Sequence, residues 1–170
     1  KNDAEYVALV EDLIYHEELL HMETITHHHF TNRLEHSIRV SYKSYQLAKK
    51  WKLDARATAR AGLLHDFFHE DRDAVAQLNL GSHADAHPKI ACENACRITE
   101  ISSLERDIIL KHMFLVSRCG LPRYKESFVV TYVDKYVAIR EVVEPIKELA
   151  GARLRGLVSK LSPVNLNINI

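Results

Sequence analysis

The stretch Arg60-Ala-Gly-Leu-Leu-His65-Asp66-Phe-Phe68 decides how this chain is read. Its small and apolar residues describe a buried helix, with Ala57, Ala61 and Leu64 on the inward face. Asp54 is placed to cap that helix, which is expected to run to about Phe68. An ionisable doublet, His65-Asp66, interrupts the apolar run. Burying a carboxylate without a partner costs several kcal/mol, so Asp66 requires one. A divalent metal ion suits an imidazole and a carboxylate side by side. Gly62 lies one turn earlier, where a missing side chain lets another backbone or an ion approach closely.

Outward from this helix, the pattern is helical throughout. A first amphipathic segment, about 3–21, carries Tyr6, Val7, Val10, Leu13, Ile14 and Leu20, and offers a face for a homodimer. Asn32 and Glu35 form a capping pair for a helix reaching about Lys50. After a polar loop, about 69–86, Pro88 is placed as the first residue of the next helix with His87 at its cap. Ser102 and Glu105 open a helix to about Val116, broken at Gly120-Leu-Pro122. A long helix, about 126–149, ends at Gly151, and Ala152 to Leu161 form a last short one. Strand signals are weak apart from a short piece near the C-terminus. The expectation is a single all-α domain over 1–170, a bundle of about six to seven helices. Its core spans about 30–140, with an N-terminal helix and a C-terminal helical extension.

Composition narrows the function. With 170 residues, 46 % hydrophobic and 27 % charged, the chain can bury one substantial core. Lys+Arg and Asp+Glu are equal at 23 each, so no net field draws it to long nucleic acid or a membrane surface. Small phosphorylated molecules stay open. Three cysteines, Cys92, Cys96 and Cys119, argue against a disulfide framework and for a reducing cytosol. Cys92 and Cys96 are read as buried packing residues, since no second thiolate pair accompanies them. No apolar run approaches the ~20 residues of a membrane span, and the charged N-terminus does not read as a signal peptide. A cytoplasmic protein is expected. Histidine is abundant at 11, and His27-His28-His29 reads as a loop near a polar site or as solvated surface.

Several ionisable groups point at the core together. His36 shares a face with Val40 and Leu47, His112 lies among Ile108, Ile109, Leu115 and Val116, and Asp134 lies among Val130, Val137 and Ala138. Taken singly, each has a plainer explanation: a satisfied core histidine, or an aspartate paired with Lys135 or Arg140. Taken jointly, two imidazoles and two carboxylates make a sensible shell for one divalent ion.

The spacing His36, then His65-Asp66 after 28 residues, then Asp134 after 67 more, resembles the H…HD…D signature of the HD-domain metal-dependent phosphohydrolase superfamily. The context Arg33-Leu-Glu-His36-Ser and Ala-Gly-Leu-Leu before the doublet extends the resemblance over roughly 30–140. It implies that His36, His65, Asp66 and Asp134 ligate one metal. It also implies a second site in which Asp66 bridges and His87 and His112 are the extra ligands, although His112 is followed by Met113 where two-metal members often carry a second histidine. The ion would be manganese, iron, cobalt, nickel, zinc or magnesium. His69 stands where some relatives carry a Lys or Glu that contacts phosphate, and is a candidate proton donor, with Glu70 as a rival base.

A metal that acidifies water and polarises a phosphoryl oxygen suits hydrolysis of a small phosphorylated metabolite such as a nucleotide or phosphodiester. Asp66 is suited to orient the water, and Arg33, one turn before His36, to reach phosphate as a bidentate donor. Lys89, Lys111 and Lys135 are weaker phosphate contacts, and Phe67, Phe68, Phe114 and Tyr124 serve stacking or packing alike. Two other functions fit the same scaffold: a di-iron oxygenase, and a regulatory module that binds a nucleotide without turnover.

Overall fold

The computed structural model describes residues 3–27 and 31–161, with side chains described to residue 147 apart from those of 26–27. Eight α-helices occur among them: α1 Ala4–Ile14, α2 Glu17–Leu20, α3 Arg33–Trp51, α4 Ala55–Leu64, α5 Arg72–Gln77, α6 His83–Ile98, α7 Ser103–Lys111 and α8 Lys125–Leu161. The only sheet in that range is a hairpin of two-residue strands, β1 Thr26–His27 and β2 Thr31–Asn32. The all-α expectation holds, with eight α-helices among the described residues against the six to seven expected. No helix among the described residues is long and apolar enough to cross a membrane.

Helices α3 and α4 form a hairpin at the centre. Asn32 caps α3 through the Glu35 amide at 2.8 Å, and Asp54 caps α4 through the Ala57 amide at 2.8 Å, as their sequence positions predict. Between them Lys52 adopts the left-handed conformation that ends α3. The two helices approach closely where Gly62 faces Ser41; a Cβ on Gly62 would lie 3.0 Å from the Ser41 Cα. Ser41 seals the contact by donating to the Ala59 carbonyl at 2.6 Å and accepting from the Tyr6 hydroxyl at 2.9 Å. Around this hairpin the core is closed by Val10 and Leu13 of α1, Ile108 and Ile109 of α7, and Val130 and Val137 of α8.

Several element boundaries differ from the sequence reading. The first segment breaks at Tyr15, because His16 turns extended and its Nδ1 accepts the Glu18 amide to start α2. The apolar face of α1 is spent on the chain's own core, and buried Arg60 fastens it by donating to Asp12 at 2.5 and 2.9 Å and to the Leu9 carbonyl at 3.1 Å. Helix α4 stops at Leu64, not Phe68, because a tight turn brings the Phe67 amide to the Leu64 carbonyl and the Phe68 amide to the Asp66 carbonyl. The stretch read as a loop contains α5, and α6 begins at His83 on a Ser82–Asp85 capping box, so His87 and Pro88 lie inside the helix. Helix α7 ends at Lys111, leaving Leu115 and Val116 exposed. Helix α8 continues through Gly151, so the expected last short helix is its own end; the expected C-terminal strand falls at 162–170, outside the described residues, as do His28 and His29. Cys92 is buried as expected, whereas Cys96 is exposed.

The close approach at Gly62 yields a test. Alanine is favoured over glycine in a helix by about 1 kcal/mol, yet Gly62→Ala pushes against backbone rather than a yielding side chain. Overpacking of this kind costs about 1–3 kcal/mol. Urea unfolding should therefore show Gly62→Ala less stable than the parent by up to about 2 kcal/mol, the overpacking cost less the helix-propensity gain, and a stabilised variant would contradict the tight contact.

Candidate metal centre

Five helices deliver the ionisable groups to one place. His36 comes from α3, His65 and Asp66 from the end of α4, His87 from α6, His112 from the end of α7 and Asp134 from α8. All six are buried, with His36, His65 and His112 at 1 % exposure or less. Two overlapping groups have ligand atoms close enough to hold a cation: His36, His65 and Asp134, and His65, Asp66 and His112. His87 joins the second, its Nε2 lying 3.3 Å from Asp66 Oδ1 and 3.0 Å from His112 Nε2. Asp66 stands between them, with Oδ2 3.6 Å from His65 Nε2 and Oδ1 facing His87 and His112.

The other ring nitrogen of each histidine is committed. His65 Nδ1 donates to the Gly62 carbonyl at 2.8 Å, and His112 Nδ1 to the Ile109 carbonyl at 2.8 Å. These bonds repeat one device: a histidine capping a helix C-terminus and satisfying a carbonyl three residues back. His87 Nδ1 donates to the His83 carbonyl at 2.7 Å, and His36 Nδ1 meets Glu141 Oε2 at 2.9 Å. A carbonyl can only accept, so in the neutral rings of His65, His87 and His112 the proton sits on Nδ1 and Nε2 carries a lone pair. The 3.0 Å contact of His87 and His112 then sets two lone pairs face to face, and His65 Nε2 and Asp66 Oδ1 are buried without a hydrogen-bond partner among the described residues. Such an arrangement is repulsive unless a cation sits among the atoms. The donor set therefore fits a divalent metal ion, with the outward bonds fixing each ring.

The metal-free electrostatics carry the same imprint. Burial opposes the charge on Asp66, but His65, His112 and His87 override it and hold the carboxyl well below the ordinary range. Burial likewise opposes the charge on Asp134, and His36, His65 and Lys135 override it in the same direction. Burial drives His112 down to about 4, with His65 and His87 adding repulsion that Asp66 does not offset. His36 goes the other way: burial disfavours its cation, but Asp134 at 3.2 Å and Glu141 raise it to about 9.

A cavity of about 490 Å³ opens onto this cluster. Asp66, His87, His112 and Asp134 reach it, and Arg33, Arg72 and Lys135 bring positive charge to its wall. Arg33 is buried, donates through Nη1 to the Phe68 carbonyl, and lies with Cζ 3.7 Å from the Phe68 ring centre. Lys135 Nζ is held by Asp134 Oδ2 at 2.7 Å and Met113 Sδ at 2.9 Å. Of the four aromatics with a stacking role in prospect, only Phe68 lines the cavity.

The structure does not bring His69 to the site. Its Nε2 engages the Glu18 carbonyl at 2.9 Å and its ring packs on Phe67 and His21, while Glu70 turns back to the His69 amide. Lys89 bonds the Leu80 carbonyl, and neither it nor Lys111 lines the cavity. Three residues escaped the sequence reading. Glu141 lies seven residues after Asp134, on the same helix face, and that spacing is a usable signal. His83, one turn before His87, lines the cavity with its Nδ1 buried and unpartnered among the described residues, and its ring stacks on His87 at 5.0 Å. Arg72 lay in a stretch read as loop and gave no signal.

A family model described as HD domain matches residues 33–139, well over half of the chain. Comparisons with curated proteins and with solved structures return no match.

The state of His36 without metal has a measurable sign. Its folded pKa is raised, so its contribution is fully present below the unfolded value near 6.5 and is lost as pH rises through about 9. Chelator-treated protein should lose thermal stability across that window, and Glu141→Gln should flatten the loss. An unchanged melting temperature between pH 6.5 and 9.5 would contradict the His36 assignment.

Proposed function

The chain belongs to the HD-domain superfamily, a superfamily of metal-dependent hydrolases, and on that footing we propose that it is a phosphohydrolase acting on a small phosphorylated metabolite such as a nucleotide or phosphodiester. The observation that carries the reading is the convergence of unprotonated imidazole nitrogens on Asp66 and Asp134 beneath a cavity walled by cations. His36, His65, Asp66 and Asp134 would hold one ion, and Asp66, His87 and His112 a second. When bound, the metal supplies a Lewis acid that acidifies water and neutralises charge developing on the phosphoryl group.

The chain's own residues do the rest. Arg33 is fixed by Phe68 on one side and keeps a buried Nε without a partner among the described residues, so a phosphate oxygen completes its hydrogen bonding. Lys135 and Arg72 add charge along the same wall without needing to be desolvated first. Ile25, Phe68 and Ala138 give the cavity an apolar side that limits water around the ester. Asp66, with its oxygens toward different imidazoles, is placed to orient a water. Asp66 and Arg33 carry these roles, and His69, turned to the Glu18 carbonyl, carries none. The three thiols, none in a disulfide, accord with a reducing cytosol.

A nitrogen-rich site around a bridging carboxylate also suits iron, and a di-iron oxygenase is the second reading. Phosphate release under anaerobic conditions separates the two. The deciding experiment is metal analysis of the purified protein joined to a panel of phosphomonoesters and phosphodiesters. Asp66→Ala should abolish tightly bound metal and hydrolysis together; full metal content in that variant would end the proposal. His112→Ala should lower the metal ratio from two to one, and an unchanged ratio would remove the second site. Arg33→Gln should keep its metal but raise KM about ten-fold or more, the scale of one charge-assisted hydrogen bond.

A further inference from the structure

Helix α8 is apolar on two opposite faces. Val130, Asp134, Val137 and Glu141 are buried against the domain. On the other side, Phe128, Tyr132, Tyr136, Ile139, Val143 and Ile146 are exposed, Tyr132 and Ile139 at 63 % each. Their steps of four and three residues are the period of a helix–helix seam. A surface helix ordinarily turns polar residues outward, so this stripe is anomalous for a face that meets only water.

Beside its first half, α3 completes a trough. Two adjoining cavities of about 400 and 560 Å³ share Tyr132; Leu47, Leu53, Val129 and Val133 lie among their lining, and Trp51, 56 % exposed, stands at the edge. Every charged residue lining either cavity is a lysine: Lys43, Lys50 and Lys125. None of the three is paired with an acid among the described residues. Farther along the seam Arg140 and Glu144 neutralise each other on the same helix and add no free acid.

We propose that this trough binds an amphipathic helix whose apolar stripe is flanked by carboxylates. The periodicity selects a helix as occupant, and the unpaired lysines select its charge. From Lys125 to Ile146 the seam runs about 30 Å, room for a helix of roughly 20 residues. Its exposed side chains present on the order of 600 Å², near the share each partner contributes to a specific interface. A second copy of this chain fits less well, because a two-fold axis sets the same basic rim against itself. A nucleic acid strand fits less well too, because bases and phosphates leave a leucine and valine floor unfilled.

Trp51 is the only tryptophan and stands at the trough, so the full chain reports occupancy by its own fluorescence. The probe is a synthetic 18-residue helix with leucine at i, i+3, i+4 and i+7 and glutamate on the flanks, titrated beside the same peptide with lysine flanks. The acidic peptide should saturate in the micromolar range and shift the Trp51 emission to the blue. The lysine peptide should bind at least ten-fold more weakly, and Lys43→Glu with Lys50→Glu should reverse the preference. Tyr132→Ala, checked by circular dichroism for intact helix content, should weaken the acidic peptide about ten-fold. Equal binding of both peptides, or of neither, overturns the proposal. Dimerisation abolished by Tyr132→Ala gives the face to a second copy instead, and displacement of the peptide by oligo-dT gives it to nucleic acid.

Discussion

The close approach of α3 to α4 at Gly62 is the constraint on which the rest depends. His36 sits five residues before Ser41 on α3, and His65-Asp66 come about one turn after Gly62. With the two backbones nearly touching there, imidazoles from different helices come within 5.6 Å of one another, ring to ring. Any residue larger than glycine would separate them at the step that sets the site's dimensions. The hydrogen bond from Ser41 to the Ala59 carbonyl pins the same step from the other side. Packing and site geometry are therefore one property of this hairpin, and a stability change at Gly62 is also a change in the distance between ligands.

Helix ends do the positioning elsewhere. A histidine at the last turn meets the negative end of the helix, and its Nδ1 can take a carbonyl left without a partner. His65 and His112 both use this arrangement, which turns each Nε2 into the cluster. The early stop of α4 and α7, shorter than apolar pattern alone suggests, is what makes it available. Had either helix continued, the carbonyls of Gly62 and Ile109 would be held by backbone amides, and the rings would lack the bond that fixes their orientation.

Much of this was legible in the sequence, for identifiable reasons. The caps of α3, α4 and α7 are local chemistry, and Asn32, Asp54 and Ser102–Glu105 announce them. The inward faces of His36 and Asp134 follow from periodicity. The start of α6 departs from the pattern because Pro88 is a strong helix-start signal, yet the Ser82–Asp85 box sets the start five residues earlier. His69 was misread for a different reason. Its neighbour Asp66 faces the cluster, but the turn after Leu64 reverses the chain, and only tertiary contact with α2 shows where its ring goes. Arg72 and His83 were missed because a loop and a misplaced helix start hid their facing.

Glu141 shows how the outer residues hold this centre in register. In the metal-free protein its carboxylate and that of Asp134 grip the two nitrogens of one imidazole, and both acids come from α8, two turns apart. The ring of His36 is thereby clamped along the axis of α8, while Arg39 binds Glu141 from the exposed side. A divalent ion held by Nε2 would take the place of its proton and leave the Nδ1 bond to Glu141 intact, so loading would change charge without requiring the ring to turn. The clamp also fixes α8 against α3 from Asp134 to Glu141. The outward seam from Phe128 to Ile146 is carried on that same rigid length of helix. Its apolar side chains are held in place by the buried acids behind them, whatever covers the opposite face.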